Sequence, residues 1–168
     1  MKLTIGFGTS KGWVARLKHF ILRDEVSHVW LEYFTEDFGQ TVVIHASVGG
    51  VQLQPKSHVL KTYNEKFRYE TTVDIPGGYA TAIESIDTKY DYPGLLFAVV
   101  VLYVWRWFRV ELKNLLASPD AVICSELVVM CDPTGLIPEW RDLDPERVSP
   151  QMLLDICRQS QFFQEVTA

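Results

Sequence analysis

Three short runs of strand-forming residues, separated by tight turns, constrain this chain more than any other feature. Val26 to Phe34, Thr41 to Ala46 and Val51 to Leu53 are rich in β-branched and aromatic residues. Glu36-Asp37-Phe38-Gly39 turns the first run into the second, and Gly49-Gly50 turns the second into the third. Connections this short join antiparallel neighbours, because a parallel pair needs a crossover of about a dozen residues or more. Strand alternation then puts His28, Trp30 and Glu32 on one face of the first strand, and Val43 and His45 on one face of the second. Two histidines fall on adjacent strands of one sheet.

The rest of the chain supplies helices around that sheet. Leu3 to Phe7 reads as a short strand ended by Gly8, Thr9 and Ser10. From Gly12 to Leu22 the spacing of Trp13, Leu17, Phe20 and Ile21 predicts an amphipathic helix, with Arg16, His19 and Arg23 on another face and Ser10 as N-cap. Lys56 to Glu70 is polar and poorly patterned. Tyr69 to Ile75 reads as a strand stopped by Pro76-Gly77-Gly78, and Tyr79 to Ile86 as a short helix. Asp91-Tyr92-Pro93 opens an apolar helix running to about Val110. The loop Ser118-Pro119-Asp120-Ala121 gives way to a helical run, Ile123 to Met130, which the breaker cluster Asp132-Pro133-Thr134-Gly135 follows. Ser149-Pro150 caps a last helix, Gln151 to Arg158, and Phe162 to Val166 is a final strand or a tail. With no repeat or linker, the expectation is one α+β domain over residues 1–168: a small antiparallel sheet packed against helices.

Composition narrows the function classes. The chain has 168 residues, of which 48% are hydrophobic, enough for a substantial core. Its net charge of −5, with no cluster of Lys or Arg, argues against a nucleic-acid partner. Three cysteines without a Cys-x-x-Cys spacing make neither a disulfide framework nor a zinc site; catalysis by a thiol requires no metal and no organic cofactor. A reducing, cytoplasmic setting is the default. The N-terminus lacks the apolar core of a signal peptide. The most apolar stretch, Leu95 to Trp105, is shorter than the ~20 residues a membrane span requires. It reads as a buried helix; the alternative is a helix over 95–108 that docks on a membrane or a protein partner through Arg106, Trp107 and Arg109.

The chemistry rests on few side chains. Thiol catalysis needs a nucleophile of lowered pKa, a base to take its proton, and a third group that fixes the base's tautomer. Cys124 begins its helix, where unpaired N–H groups and the helix dipole favour thiolate. Cys131 and Cys157 sit within apolar runs and read as small core residues. His28 is the candidate base. His45 is the candidate third group, bonding to His28 from the neighbouring strand. Taken alone, His28 reads better as a histidine satisfied in or beside the sheet, and His45 as a half-exposed strand residue. His19 and His58 have no such neighbourhood.

A family resemblance joins these residues. Ser27-His28-Val29, preceded by an amphipathic helix, resembles the "SHV" strand of the circularly permuted papain-like (NlpC-type) clan. Val43-Ile44-His45-Ala46 with Gly50-Val51 resembles its second strand and turn. Lys89-Tyr90-Asp91-Tyr92 resembles its "YD" segment, and Cys124-Ser125-Glu126-Leu127-Val128 its "CSELV" helix, the most specific of the four. That clan includes the YiiX-like amidase family and the lecithin–retinol acyltransferase-like enzymes. The resemblance implies a permuted papain-like fold in which Cys124 is the nucleophile, His28 the general base and acid, and His45 the orienting residue. Many YiiX-like members carry a carboxylate in the third role, whereas the acyltransferase-like branch uses histidine, so Glu32 is the alternative orienting residue. The Cys124 backbone N–H and the Tyr90 hydroxyl are the implied oxyanion donors; as a residue, Tyr90 reads equally as a helix-packing aromatic. Glu126 reads as structural or as a local hydrogen-bond acceptor.

The leading expectation is therefore a cysteine amidase or peptidase, a thiol hydrolase that cleaves an amide bond in a peptidoglycan-type peptide or another small acylated substrate through an acyl-thioester. The alternatives are a thiol acyltransferase acting on lipid acyl groups, a non-catalytic binding module on the same fold, and a virion or assembly component that associates through the 95–108 helix.

Overall fold

The computed structural model describes residues 1–11, 24–37, 39–47, 49–90, 121–145 and 148–167. The helix expected over 12–22, with His19, and the apolar helix expected from 91 to about 110 lie outside the described residues. Among those described, no helix is long and apolar enough to cross a membrane.

The expected meander is present and extends into a larger sheet. β1 (Thr4–Ser10), β2 (His28–Thr35), β3 (Gln40–Ser47), β4 (Gly50–Pro55), β5 (Tyr63–Thr71) and β8 (Phe163–Glu165) form six antiparallel strands in the order β4-β3-β2-β1-β5-β8. The register runs from Leu31 opposite Ile44 to Thr35 opposite Gln40, and from Val42 opposite Pro55 to Ser47 opposite Gly50. β6 (Lys89–Tyr90) and β7 (Ala121–Val122) make a separate parallel pair. The described helices are α1 (Lys56–Thr62), α2 (Gly78–Glu84), α3 (Cys124–Met130), α4 (Pro138–Arg141) and α5 (Pro150–Gln159).

Lys56 to Glu70 departs from expectation. It contains α1 and most of β5, and the strand expected over Tyr69 to Ile75 ends at Thr71. α1 buries only Val59 and so shows no apolar stripe. β5 is largely half-buried and carries Glu65, Lys66, Arg68 and Glu70, which hides its period of two.

The sheet has two unlike faces. On one, Ile5, Phe7, Val29, Leu31, Ile44 and Ala46 enter the main core with Leu127 and Val128 of α3 and Leu153 and Leu154 of α5. On the other, Trp30 and Val43 pack with Val59 of α1 and Tyr63. The Trp30 indole lies flat against β1 because Gly6 and Gly8 leave room for it; a Cβ on Gly6 would overlap the indole nitrogen. That nitrogen donates to Glu32 Oε1 at 2.9 Å.

The C-terminal region ties the pieces together. Gln151 Oε1 accepts from the Glu25 N–H at 2.7 Å, and Arg158 grips the Glu25 carboxylate with two bonds of 2.6 and 3.0 Å. Ser149 caps α5 as expected, its Oγ accepting from the Met152 N–H, with Pro150 in the first turn.

Gly6→Ala is expected to displace the indole, break the Trp30–Glu32 bond and lower stability by about 1–3 kcal/mol, as overpacking does. Urea denaturation of the variant against wild type measures it.

Candidate active site

His28 is the first residue of β2, and His45 lies near the end of β3, so antiparallel pairing brings them to one end of the sheet. Nε2 of His28 and Nδ1 of His45 are 3.0 Å apart, a hydrogen bond in which one ring donates. Both residues are buried, at 4% and 3% exposure. Tyr63, the first residue of β5, stacks flat on His28 with ring centroids 4.2 Å apart and planes at 11°. It meets His45 edge-on, and His45 in turn stands nearly perpendicular to His28. Ser27, just before His28, is held to β1: its N–H donates to Gly8 O and its Oγ accepts from the Ser10 N–H.

Burial sets the protonation of His45. It pushes the pKa down from 6.5 to about 4, while the Gln54 side chain beside the ring acts the other way and offsets part of the effect. His45 is thus neutral at pH 7, with one donor and one acceptor nitrogen. Its Nε2 is buried and has no partner in hydrogen-bonding geometry among the described residues, although Gln54 is close enough to favour the protonated ring.

Glu32 stands on the same face, but its oxygens are engaged elsewhere. Lys56 Nζ is 2.8 Å from Oε1, which also receives the Trp30 indole. Arg68 Nε is 3.0 Å from Oε2, an ion pair not aligned as a hydrogen bond. Burial alone would raise the Glu32 pKa; Lys56 and the indole outweigh it and hold the carboxyl below its usual range. Lys56 also reaches Glu65 Oε1 at 2.9 Å, and burial with the nearby Glu32 charge pushes Glu65 up. Glu32 therefore anchors α1 over the sheet, and the bond to His28 Nε2 comes from His45.

Cys124 is the first residue of α3 and is 6% exposed. Its polar neighbours hold the helix start. Glu126 accepts from the Ile123 N–H at 3.2 Å, half of a capping box; the isoleucine at the N-cap has no oxygen to return the bond. Ser125 Oγ donates to Val148 O at 2.6 Å in the interior. The other two thiols are core residues, as expected: Cys131 donates to Leu127 O at 3.0 Å and burial pushes its pKa up to about 12, and burial raises Cys157 as well.

Backbone pairing carries the start of α3 to the histidine end of the sheet. Val51, near the start of β4, exchanges hydrogen bonds with the Asp87–Thr88 segment: its N–H donates to Thr88 O at 2.9 Å and its carbonyl accepts from the Asp87 N–H at 3.1 Å. Lys89 and Tyr90 then pair with Ala121 and Val122, two residues short of Cys124. Tyr90 is thereby held beside the strand leading to the thiol; its side chain lies outside the described residues. Gly50 permits this approach, with φ of 107° and the Thr88 carbonyl only 2.5 Å from where a Cβ would stand. The helix then packs on β2 and β3.

The structure thus joins His28 to His45, leaves Glu32 in a charge cluster, and brings the Cys124 and Tyr90 backbones to the same end of the sheet. It adds Tyr63 and Gln54. Nothing in the polar stretch around Tyr63 marks it in the sequence. Gln54 was accessible through alternation, since β3–β4 pairing puts Gln52 and Gln54 on the face of His45.

These features define an α+β fold with a six-stranded antiparallel sheet and a cysteine at a helix start. A solved structure is similar in fold: YiiX from Escherichia coli O157:H7, described as a metalloprotein and as DUF1105, with a TM-score of 0.51 and 14% identity, covering 99% of this chain and 96% of that one. At that identity the likeness shows the fold, which is YiiX-like. No family model and no curated protein matches the chain.

Because the unfolded His45 takes up its proton near pH 6.5 and the folded one only near pH 4, stability falls as pH is lowered through that window and the loss is complete below it. The expected contribution is roughly 3 kcal/mol. The difference in unfolding free energy between wild type and His45→Asn, followed from pH 7 to 4, should shrink by that order; a constant difference would show that His45 is not held neutral.

Proposed function

We propose that the protein is a cysteine hydrolase of the permuted papain-like type, with residues 1–168 as one domain, Cys124 as nucleophile, His28 as general base and acid, and His45 as orienting residue. The observation that carries this reading is the buried His28–His45 hydrogen bond at the end of the sheet to which β6 and β7 bring the start of α3. The likeness to YiiX supports the fold it requires.

His28 belongs to the sheet face covered by Tyr63 and α1, whereas Leu127 and Val128 pack on the opposite face. In this reading the thiol meets the imidazole around the N-terminal end of β2, where strand and helix both begin. Nε2 of His28 is taken up by His45, so Nδ1 is the nitrogen that takes the thiol proton. The Cys124 sulfur attacks the carbonyl carbon of an amide, and the oxyanion is met by the Cys124 N–H and the Tyr90 hydroxyl. The C–N bond breaks as His28 returns the proton to the leaving nitrogen, giving an acyl-thioester. Water, deprotonated by His28, then releases the acid and the thiol. The substrate class is an amide of a peptidoglycan-type peptide or of another small acylated molecule. A second reading, transfer of a lipid acyl group to an acceptor other than water, is favoured by histidine rather than a carboxylate at position 45.

The description of YiiX as a metalloprotein raises the question of a metal. The described residues group no three His, Cys, Asp or Glu able to hold one, and the facing nitrogens of the two histidines bond to each other. Among the described residues there is thus no ligand set that fits a metal, and the reaction above runs through the chain's own residues.

The test is the pH dependence of Cys124 alkylation in wild type and His28→Ala, with Cys131 and Cys157 as internal controls. An ordinary thiol titrates near ~8.5 and a paired one at or below ~7.5. Labelling of Cys124 at mildly acidic pH, slowed roughly tenfold or more in His28→Ala, is expected. Labelling only in the alkaline range and indifferent to His28 would overturn the hydrolase and leave a binding or assembly module.

A further inference from the structure

The His45 ring poses a question that the His28–His45 bond alone leaves open: which of its nitrogens carries the proton. The ring is 3% exposed, its Nδ1 faces His28, and its buried Nε2 makes no aligned hydrogen bond among the described residues, although the Gln54 side chain stands beside the ring. A neutral imidazole has one donor and one acceptor. If Nδ1 carried the proton, His28 Nε2 would have to accept it, and the base of the proposed reaction would be in the wrong tautomer.

β4 supplies the group that decides. His45 lies opposite Gln52 and Val43 opposite Gln54, so both glutamines share the His45 face. Gln54 Nε2 donates to Gln52 Oε1 at 2.5 Å. With its amide nitrogen turned to Gln52, the Gln54 carbonyl oxygen is the acceptor left for His45. The other charged groups on this face, Glu32, Lys56, Glu65 and Arg68, are paired with one another.

We propose that Gln54 is a positioning residue: its amide oxygen holds His45 as the Nε2–H tautomer, so that His45 Nδ1 accepts from His28 Nε2 and His28 presents Nδ1 as its basic nitrogen. The proposal rests on the hydrolase reading for its catalytic meaning, while the tautomer itself is measurable apart from any reaction. Burial supports it, since a neutral His45 must choose one tautomer.

Long-range proton–nitrogen correlation spectra of the ¹⁵N-labelled full chain report both tautomers directly. In wild type at pH 7, His45 and His28 are each expected with the proton on Nε2. Gln54→Leu, which keeps size and removes the acceptor, is expected to shift His45 to a tautomer mixture and to slow Cys124 alkylation roughly tenfold, the effect typical of a lost orienting contact. Gln54→Glu, which keeps an acceptor, is expected to restore both. Thermal unfolding of the two variants checks that the sheet is intact. If His45 keeps the Nε2–H tautomer in Gln54→Leu, the proposal falls whatever the thiol does. If the tautomers respond as expected but Cys124 never labels below the alkaline range, the Gln54 assignment stands and the hydrolase reading falls.

Discussion

Whether the two histidines meet at all depends on the register of β2 against β3. A slip of one residue would turn His45 into the main core and bring Ile44 out beside Tyr63, because side chains alternate across a strand. Two contrasting faces enforce the register. Val29, Leu31, Ile44 and Ala46 are at most 1% exposed, and the larger of them contribute about 1.5–3 kcal/mol each by leaving water. On the other face Trp30 fits only over Gly6 and Gly8, and Glu32 only where Lys56, Arg68 and the indole meet it. Burying two imidazoles is costly in itself. The apolar face and the charge cluster offset that cost, and so fix the site without belonging to it.

The thiol is positioned by other means. α3 is only seven residues long, so its own field is modest and its placement matters more than its dipole. Its start is fixed from two directions. β7 pairs with β6, and the segment before β6 is bonded to Val51. From the other side, Ser125 is tied to Val148, one residue before the cap of α5. α5 also grips Glu25, three residues before His28. One C-terminal helix therefore references both the strand that begins with His28 and the helix that begins with Cys124. The stretch after 132 contains none of the four segments on which the resemblance rests, yet geometrically it is the common clamp.

What could be read in advance follows from how each signal is written. The meander was legible because alternating apolar residues and glycine turns are local, and the start of α3 because the change from the loop Ser118-Pro119-Asp120-Ala121 to an apolar run is local too. The His28–His45 contact followed from alternation once the strands were antiparallel. α1 and β5 were not legible: a seven-residue helix with one buried side chain has no stripe, and β5 faces a cluster that requires Glu65 and Arg68 where a strand pattern would want apolar residues. The same cluster explains why Glu32 looked available. Its position on the face of His28 is sequence information; Lys56 and Arg68, which claim its oxygens, arrive from elements the sequence concealed.

That claim bears on the chemistry proposed. A carboxylate two residues from His28 on the same face is the partner a hydrolase would commonly use to stabilise an imidazolium. Here the fold commits it to anchoring α1, and in the proposed reaction a histidine held neutral by burial would take its place. A neutral ring can fix the direction of a hydrogen bond but lends little charge stabilisation. In the proposed reaction the stacked Tyr63 ring would be the compensating element: the two ring centroids are 4.2 Å apart, where a π-system favours a cation once the proton has been taken up. Under that proposal the site would divide between two neighbours what a carboxylate does alone, with tautomer set from β3 and charge accommodated from β5. Its electrostatics depend on keeping water away from both, which is the task of the α1 strap that Glu32 holds down.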